Sequence, residues 1–140
     1  GVGNMYPRNG SFSMDWTGKA WRTAAIQWPK PSGDEDLASV TAIPGGSAWA
    51  VGYFGDPLPG DKSVIFHWSG KAWTVAWQLA QPAGYLPGIA VVSSTDAWSI
   101  GYICVATNDN RCDKSQYLAL HWNGRTWNES WLPASFQPAG

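Results

Sequence analysis

Residues 48–53 alternate small and large side chains, with Ala48, Ala50 and Gly52 interleaved with Trp49, Val51 and Tyr53. Successive side chains of a strand point to opposite faces, so this run predicts a strand with one bulky face and one small face. The pattern returns in residues 97–102, where Trp98, Ile100 and Tyr102 are large and Ala97, Ser99 and Gly101 are small. A different alternation occurs three times: Phe12, Met14 and Trp16; Val64, Phe66 and Trp68; Leu118, Leu120 and Trp122. Each ends in a W-x-G-[KR]-x-W segment, Trp16 to Trp21, Trp68 to Trp73 and Trp122 to Trp127. With Gly, Pro, Asn and Ser clusters as turns, the predicted strands are 11–16 and 21–26; then 36–43, 48–54, 63–68 and 73–78; then 88–93, 97–103, 117–122 and 127–132.

The W-x-G-[KR]-x-W starts are 52 and then 54 residues apart, at Trp16, Trp68 and Trp122. Self-similarity at this period marks an array of supersecondary units, and for all-β units the expected architecture is a β-propeller of four-stranded antiparallel blades. The division reads as a half blade over 1–30, blades over 31–80 and 81–134, and the start of another blade's loop over 135–140, where Gln137-Pro138-Ala139-Gly140 repeats Gln81-Pro82-Ala83-Gly84. Roughly two and a half blades cannot close a ring of about four to eight. The missing blades are therefore expected from the same longer polypeptide or from partner chains. The bulky face of one blade would pack on the small face of the next, each buried aromatic contributing on the order of 2–3 kcal/mol. Asn123-Gly124 suits a two-residue type I′ turn. That turn would set Trp122 opposite Arg125, with Lys19 over Trp16 and Lys71 over Trp68 in parallel.

Composition is that of a globular β protein: 44% hydrophobic and 14% charged, with 16 glycines and 10 prolines for turns. The net charge of −1 provides no electrostatic footprint for nucleic acid or an anionic membrane. No apolar run approaches the roughly 20 residues that span a bilayer, so membrane insertion is not expected. Cys104 and Cys112 flank a short insertion and read as a disulfide, hence an oxidising, extracellular compartment. The alternatives are free thiols or half of a zinc site, although His67 and His121 occupy equivalent positions in separate blades. Asn9 and Asn128 begin N-glycosylation triplets.

The pairing of the DAWSIGY run of residues 96–102 with LALHWNGRTW, residues 118–127, resembles the Trp-rich repeats of secreted bacterial β-propellers. It is distantly similar to the Asp-box or BNR repeats of sialidase-type propellers, over about residues 11–132. The match departs from the Asp-box pattern, because Ser13-Met14-Asp15-Trp16-Thr17-Gly18 has one extra residue before the glycine and later copies carry His67 and His121 in place of the acid. What the resemblance implies is a secreted or cell-surface propeller, without sialidase chemistry.

In such blades the A–B and C–D turns lie at one end and the D–A and B–C loops at the other. Here the first set is short and uniform, whereas residues 28–35, 55–62, 79–87 and 104–116 form long and dissimilar loops. Variation carried on one end of a rigid scaffold points to recognition. The candidate ligand-binding residues are Trp28, Asp56, Asp61, Tyr85, Asn108, Asp109, Arg111 and Asp113. Catalysis lacks a constellation: the Asp34-Glu35-Asp36 cluster reads as turn-forming and solvating, and no Ser/His/Asp set falls on one end. Asn108-Asp109-Asn110 with Asp113 supplies calcium-type oxygens but lacks the glycine and terminal glutamate of an EF-hand loop. No cofactor or metal is expected. The expected function is an extracellular recognition module for a glycan or protein. The alternatives are a structural or assembly segment of a larger surface protein or filament, and a hydrolase fragment whose catalytic residues lie elsewhere.

Overall fold

The computed structural model describes residues 2–4, 11–29, 35–55, 60–80, 83–109 and 111–133; the side chains of 2–4 are excluded. All regular structure among these residues is β, in three antiparallel sheets. The first is β1 (Val2–Asn4), β2 (Ser11–Trp16) and β3 (Trp21–Ala25), in that order. The second is β4 (Asp36–Ile43), β5 (Ser47–Phe54), β6 (Lys62–Trp68) and β7 (Trp73–Gln78), also in chain order. The third comprises β8 (Gly84–Tyr85), β9 (Ala90–Ser93), β10 (Asp96–Asn108), β11 (Arg111–Trp122) and β12 (Trp127–Trp131), with both β8 and β9 on the free edge of β10. The strand expected over 88–93 is found as Ala90–Ser93, and Gly84–Tyr85 adds a short strand within the expected 79–87 loop; Pro87 between them has no N–H to donate to a ladder.

Two further differences from the sequence expectation concern strand extent. The first sheet has three strands, because Val2–Asn4 pairs with Ser11–Ser13. Residues 104–116 do not form an irregular loop: the β10–β11 ladder continues through Cys104↔Ser115 and Thr107↔Cys112 to Asn108↔Arg111. At its tip Asp109 has φ 48°, the left-handed conformation that a tight hairpin turn requires and that Asp tolerates.

Alternation along β5 partitions the core. Trp49, Val51 and Ile65 join Ala97, Ile103, Leu118, Leu120 and Trp127 in one apolar cluster between the second and third sheets. The opposite face contributes Ala50, Val64, Phe66, Trp68 and Trp73 to a second cluster with Ile26 and Leu37, against the first sheet. The small residues of β5 thus stand beside large ones of β6, Ala50 paired with Phe66 and Gly52 with Val64. Glycine is required at Gly52 and Gly101. A Cβ at Gly52 would lie 2.6 Å from both the Asp36 carbonyl and the Trp28 ring, and one at Gly101 would strike the Tyr85 carbonyl.

Serines at the start of two central strands, Ser11 of β2 and Ser63 of β6, reach across to the next sheet or the segment leading into it. Ser11 Oγ donates to the Glu35 carbonyl at 3.1 Å, and Ser63 Oγ donates to the Gly84 carbonyl at 2.9 Å while accepting from Leu86 N–H at 3.0 Å.

The Trp hairpins are closed by a four-residue loop, not a two-residue turn. Trp16 pairs with Trp21, Trp68 with Trp73 and Trp122 with Trp127. The middle of each loop is Gly18, Gly70 or Gly124, all at φ 90°, and the side chain before the glycine closes it: Thr17 accepts from Ala20 N–H, Ser69 from Lys71 and Ala72, Asn123 from Arg125 and Thr126. A residue with a short side-chain oxygen is needed there. The register therefore sets indole against indole, and the cation over Trp68 is Arg22 of the first sheet, 5.9 Å from the ring centroid.

Candidate functional site

At the end of the molecule where β5 leaves the second sheet and β8 enters the third, a cleft of about 430 Å³ opens between Tyr53, Tyr85 and Tyr102, with Asp61, Gly60, Ala83, Gly84 and the two cysteines completing its walls. Its tyrosines come from three strands. Tyr53 and Tyr102 are the third large residues of the β5 and β10 alternations, and Tyr85 is held directly opposite Tyr102 by the β8–β10 pairing. Ring centroids lie 6.2 Å apart for Tyr53 and Tyr85 and 6.0 Å apart for Tyr85 and Tyr102. The wall beside them is fixed by backbone bonds: Gly84 N–H donates to the Asp61 carbonyl at 2.9 Å and Cys104 N–H to the Ala83 carbonyl at 2.9 Å. Ser63 grips the backbone on both sides of Tyr85 from beneath.

Cys104 and Cys112 form a disulfide, with Cα atoms 5.6 Å apart. It cross-links the β10–β11 ribbon where the ribbon passes the cleft.

The electrostatics are acidic at one side. The Tyr53 hydroxyl is raised above the ordinary phenol range, first by burial and then by the Asp36 carboxylate, to which it is hydrogen-bonded; Tyr85 and Asp61 add smaller effects in the same direction. Tyr53 is therefore a neutral donor committed to Asp36. Tyr85 and Tyr102 are both exposed.

Of the sequence-derived candidates, Asp61 and Tyr85 meet in this cleft. Trp28 does not: its ring packs edge-on against Phe66 at 5.0 Å and against Phe54 at 6.1 Å, beneath Gly52, in the core between the first and second sheets. Trp28 is partly buried there, where Gly52 leaves room for its ring. Asn108, Asp109, Arg111 and Asp113 are exposed along the outer part of the β10–β11 ribbon and do not line the cleft. Asp56, Asn110, Asn9 and the 135–140 segment lie outside the described residues. Tyr53, Tyr102 and Asp36 were missed because they read as core alternation and as a solvated acidic cluster. The available signal was the tyrosine at the last large position of both strands, since a hydroxyl there demands a partner or solvent.

A second cleft of about 440 Å³ lies between the first and second sheets, bordered by Trp68, Trp73, Met14, Val40 and Ala42. Trp73 is anchored there by its Nε1–H, which donates to Ser13 Oγ at 2.7 Å.

No family model matches the chain, and no curated protein or solved structure is significantly similar to it.

Proposed function

We propose that this chain is a segment of an extracellular β-propeller and that its tyrosine cleft binds an uncharged glycan. The observation that carries the reading is the convergence of Tyr53, Tyr85 and Tyr102 with Asp61 around one concave site of about 430 Å³, within the roughly 300–1,000 Å³ of small-molecule sites. Phenol rings offer flat apolar faces to the C–H faces of a sugar, while the exposed phenol hydroxyls and the Asp61 carboxylate hydrogen-bond its hydroxyls. The nearby carboxylates Asp36 and Asp61 disfavour an acidic sugar through like charge. The repeated, inter-latched sheets support a propeller scaffold, and the disulfide on the cleft wall supports an oxidising compartment.

The test is a glycan screen followed by titration calorimetry with Tyr85→Ala and Asp61→Asn. Tyr85 is exposed, and the bond that Asp61 contributes to the cleft wall is accepted by its main-chain carbonyl, which Asp61→Asn keeps, so both variants should melt near the parent. Each is expected to weaken binding at least about tenfold, or roughly 1.4 kcal/mol. Equal affinity in parent and variants would refute the site.

A further inference from the structure

The two outer faces of the stacked sheets are complementary to each other, and the contact between the second and third sheets shows how. There Trp49, 2% exposed, inserts as a knob into a clamp made by the Trp122–Trp127 hairpin of the next sheet. Its ring meets Trp122 at 4.9 Å and 67° and Trp127 at 5.2 Å and 74°, the edge-to-face arrangement that aromatic quadrupoles favour.

The chain carries a second knob and a second clamp, both open. Trp98 is the counterpart of Trp49 in the third sheet, and it projects from the outer face with 42% exposure beside Ile100 at 55%. Its indole is already ordered: it stacks on His121 at 3.9 Å and 18°, and His121 Nε2 is bound to Asp96 at 3.0 Å. The Trp16–Trp21 hairpin of the first sheet is the counterpart of Trp122–Trp127. Its indoles are 53% and 60% exposed, yet their centroids lie 5.5 Å apart against 5.9 Å in the occupied clamp. Both halves are preformed, so docking would lose little side-chain entropy.

We infer that Trp98 of one copy docks between Trp16 and Trp21 of a second copy, repeating head to tail the Trp49 contact found within the chain. The occupant follows from the chain itself: the outer face of the third sheet repeats the knob, and the outer face of the first sheet repeats its receptor. Such an interface uses two different patches, so each copy retains one free patch until a ring closes or a filament grows. The inference does not depend on the ligand of the tyrosine cleft, whose walls include neither Trp98 nor Ile100.

The experiment is sedimentation velocity on the purified chain and on Trp98→Ala, Trp21→Ala and Ile100→Asp, with thermal melts to establish folding. The parent is expected to sediment as species larger than one chain in a concentration-dependent manner. Each variant should melt near the parent, because the altered groups face solvent, and should sediment as a single chain. Mixing Trp98→Ala with Trp21→Ala restores association, since one copy keeps an intact clamp and the other an intact knob. A parent that remains a single chain at high micromolar concentration overturns the inference. Variants that associate like the parent, or a mixture that does not associate, overturn it equally. Glycan titration on the same variants separates this contact from the cleft, because loss of association with retained sugar affinity leaves the cleft reading intact.

Discussion

Ser63→Ala isolates one side-chain oxygen that holds two sheets together. Ser63 is 1% exposed, and its hydroxyl both donates to the Gly84 carbonyl and accepts from the Leu86 amide. Removing it orphans a buried donor and a buried acceptor. An unsatisfied buried group costs about 1–3 kcal/mol; the carbonyl retains its second lone pair, so about 2–3 kcal/mol in total is the expected loss. For a chain of this size roughly 3 °C accompanies each kcal/mol, or about 6–9 °C in Tm. Ser11→Ala supplies the comparison. It removes the equivalent bond to the Glu35 carbonyl, but Ser11 and Glu35 are only half-buried, so water takes the place of the hydroxyl and the loss should stay below about 1 kcal/mol. Urea unfolding followed by tryptophan fluorescence gives both values. The reasoning fails if Ser63→Ala costs less than about 0.5 kcal/mol, or if Ser11→Ala costs as much as Ser63→Ala.

Burial holds the His67 imidazole below its usual value of 6.5. The unfolded chain therefore takes up a proton that the folded chain refuses, and stability should fall as pH drops from about 7 through 6.5 toward the folded pKa; a His67→Gln variant with the same loss in urea midpoint between pH 7.5 and 5 would contradict this. Gly101→Ala drives a methyl into the Tyr85 carbonyl and to 2.8 Å from Leu86 Cδ2. It should destabilise by about 2–3 kcal/mol through overpacking, measured by urea midpoint, and a change within about 0.5 kcal/mol would mean that β8 can move aside.

How far the fold was legible in the sequence depended on whether a segment had a buried face. β5 alternates because one face packs on the first sheet and the other on the third, so its large and small positions could be read directly. The outer β10–β11 ribbon offers no such record. Residues 105–109 and 111–114 are exposed on both sides, and with no face to bury, Val105 to Lys114 show no period and resemble a loop. The place of Trp28 was hidden for a different reason: its partial burial depends on a contact with Gly52, 24 residues away, and a missing side chain leaves little trace in a linear pattern. The hairpin turn was misjudged because Asn-Gly is a good two-residue turn locally, whereas the pairing of Trp122 with Trp127 makes the loop longer. Half of the cleft was visible, as Asp61 and Tyr85 lie in connections. Tyr53 and Tyr102 were concealed by belonging to the same alternation as the core.

The two inter-sheet contacts are built alike and yet are not interchangeable. Trp73 gives its indole proton to Ser13, whereas Trp127, at the corresponding place one sheet later, meets Ile65 in the same apolar cluster and keeps its buried N–H without a partner. Exchanging these neighbours would take the acceptor from Trp73 and offer one to Trp127, so the two contacts differ in which indole proton is paired. Chains made of similar units are prone to joining the wrong ones during folding. Sheets with nearly the same hairpin therefore present different chemistry to their neighbours, a hydroxyl at residue 13 and a hydrocarbon side chain at residue 65.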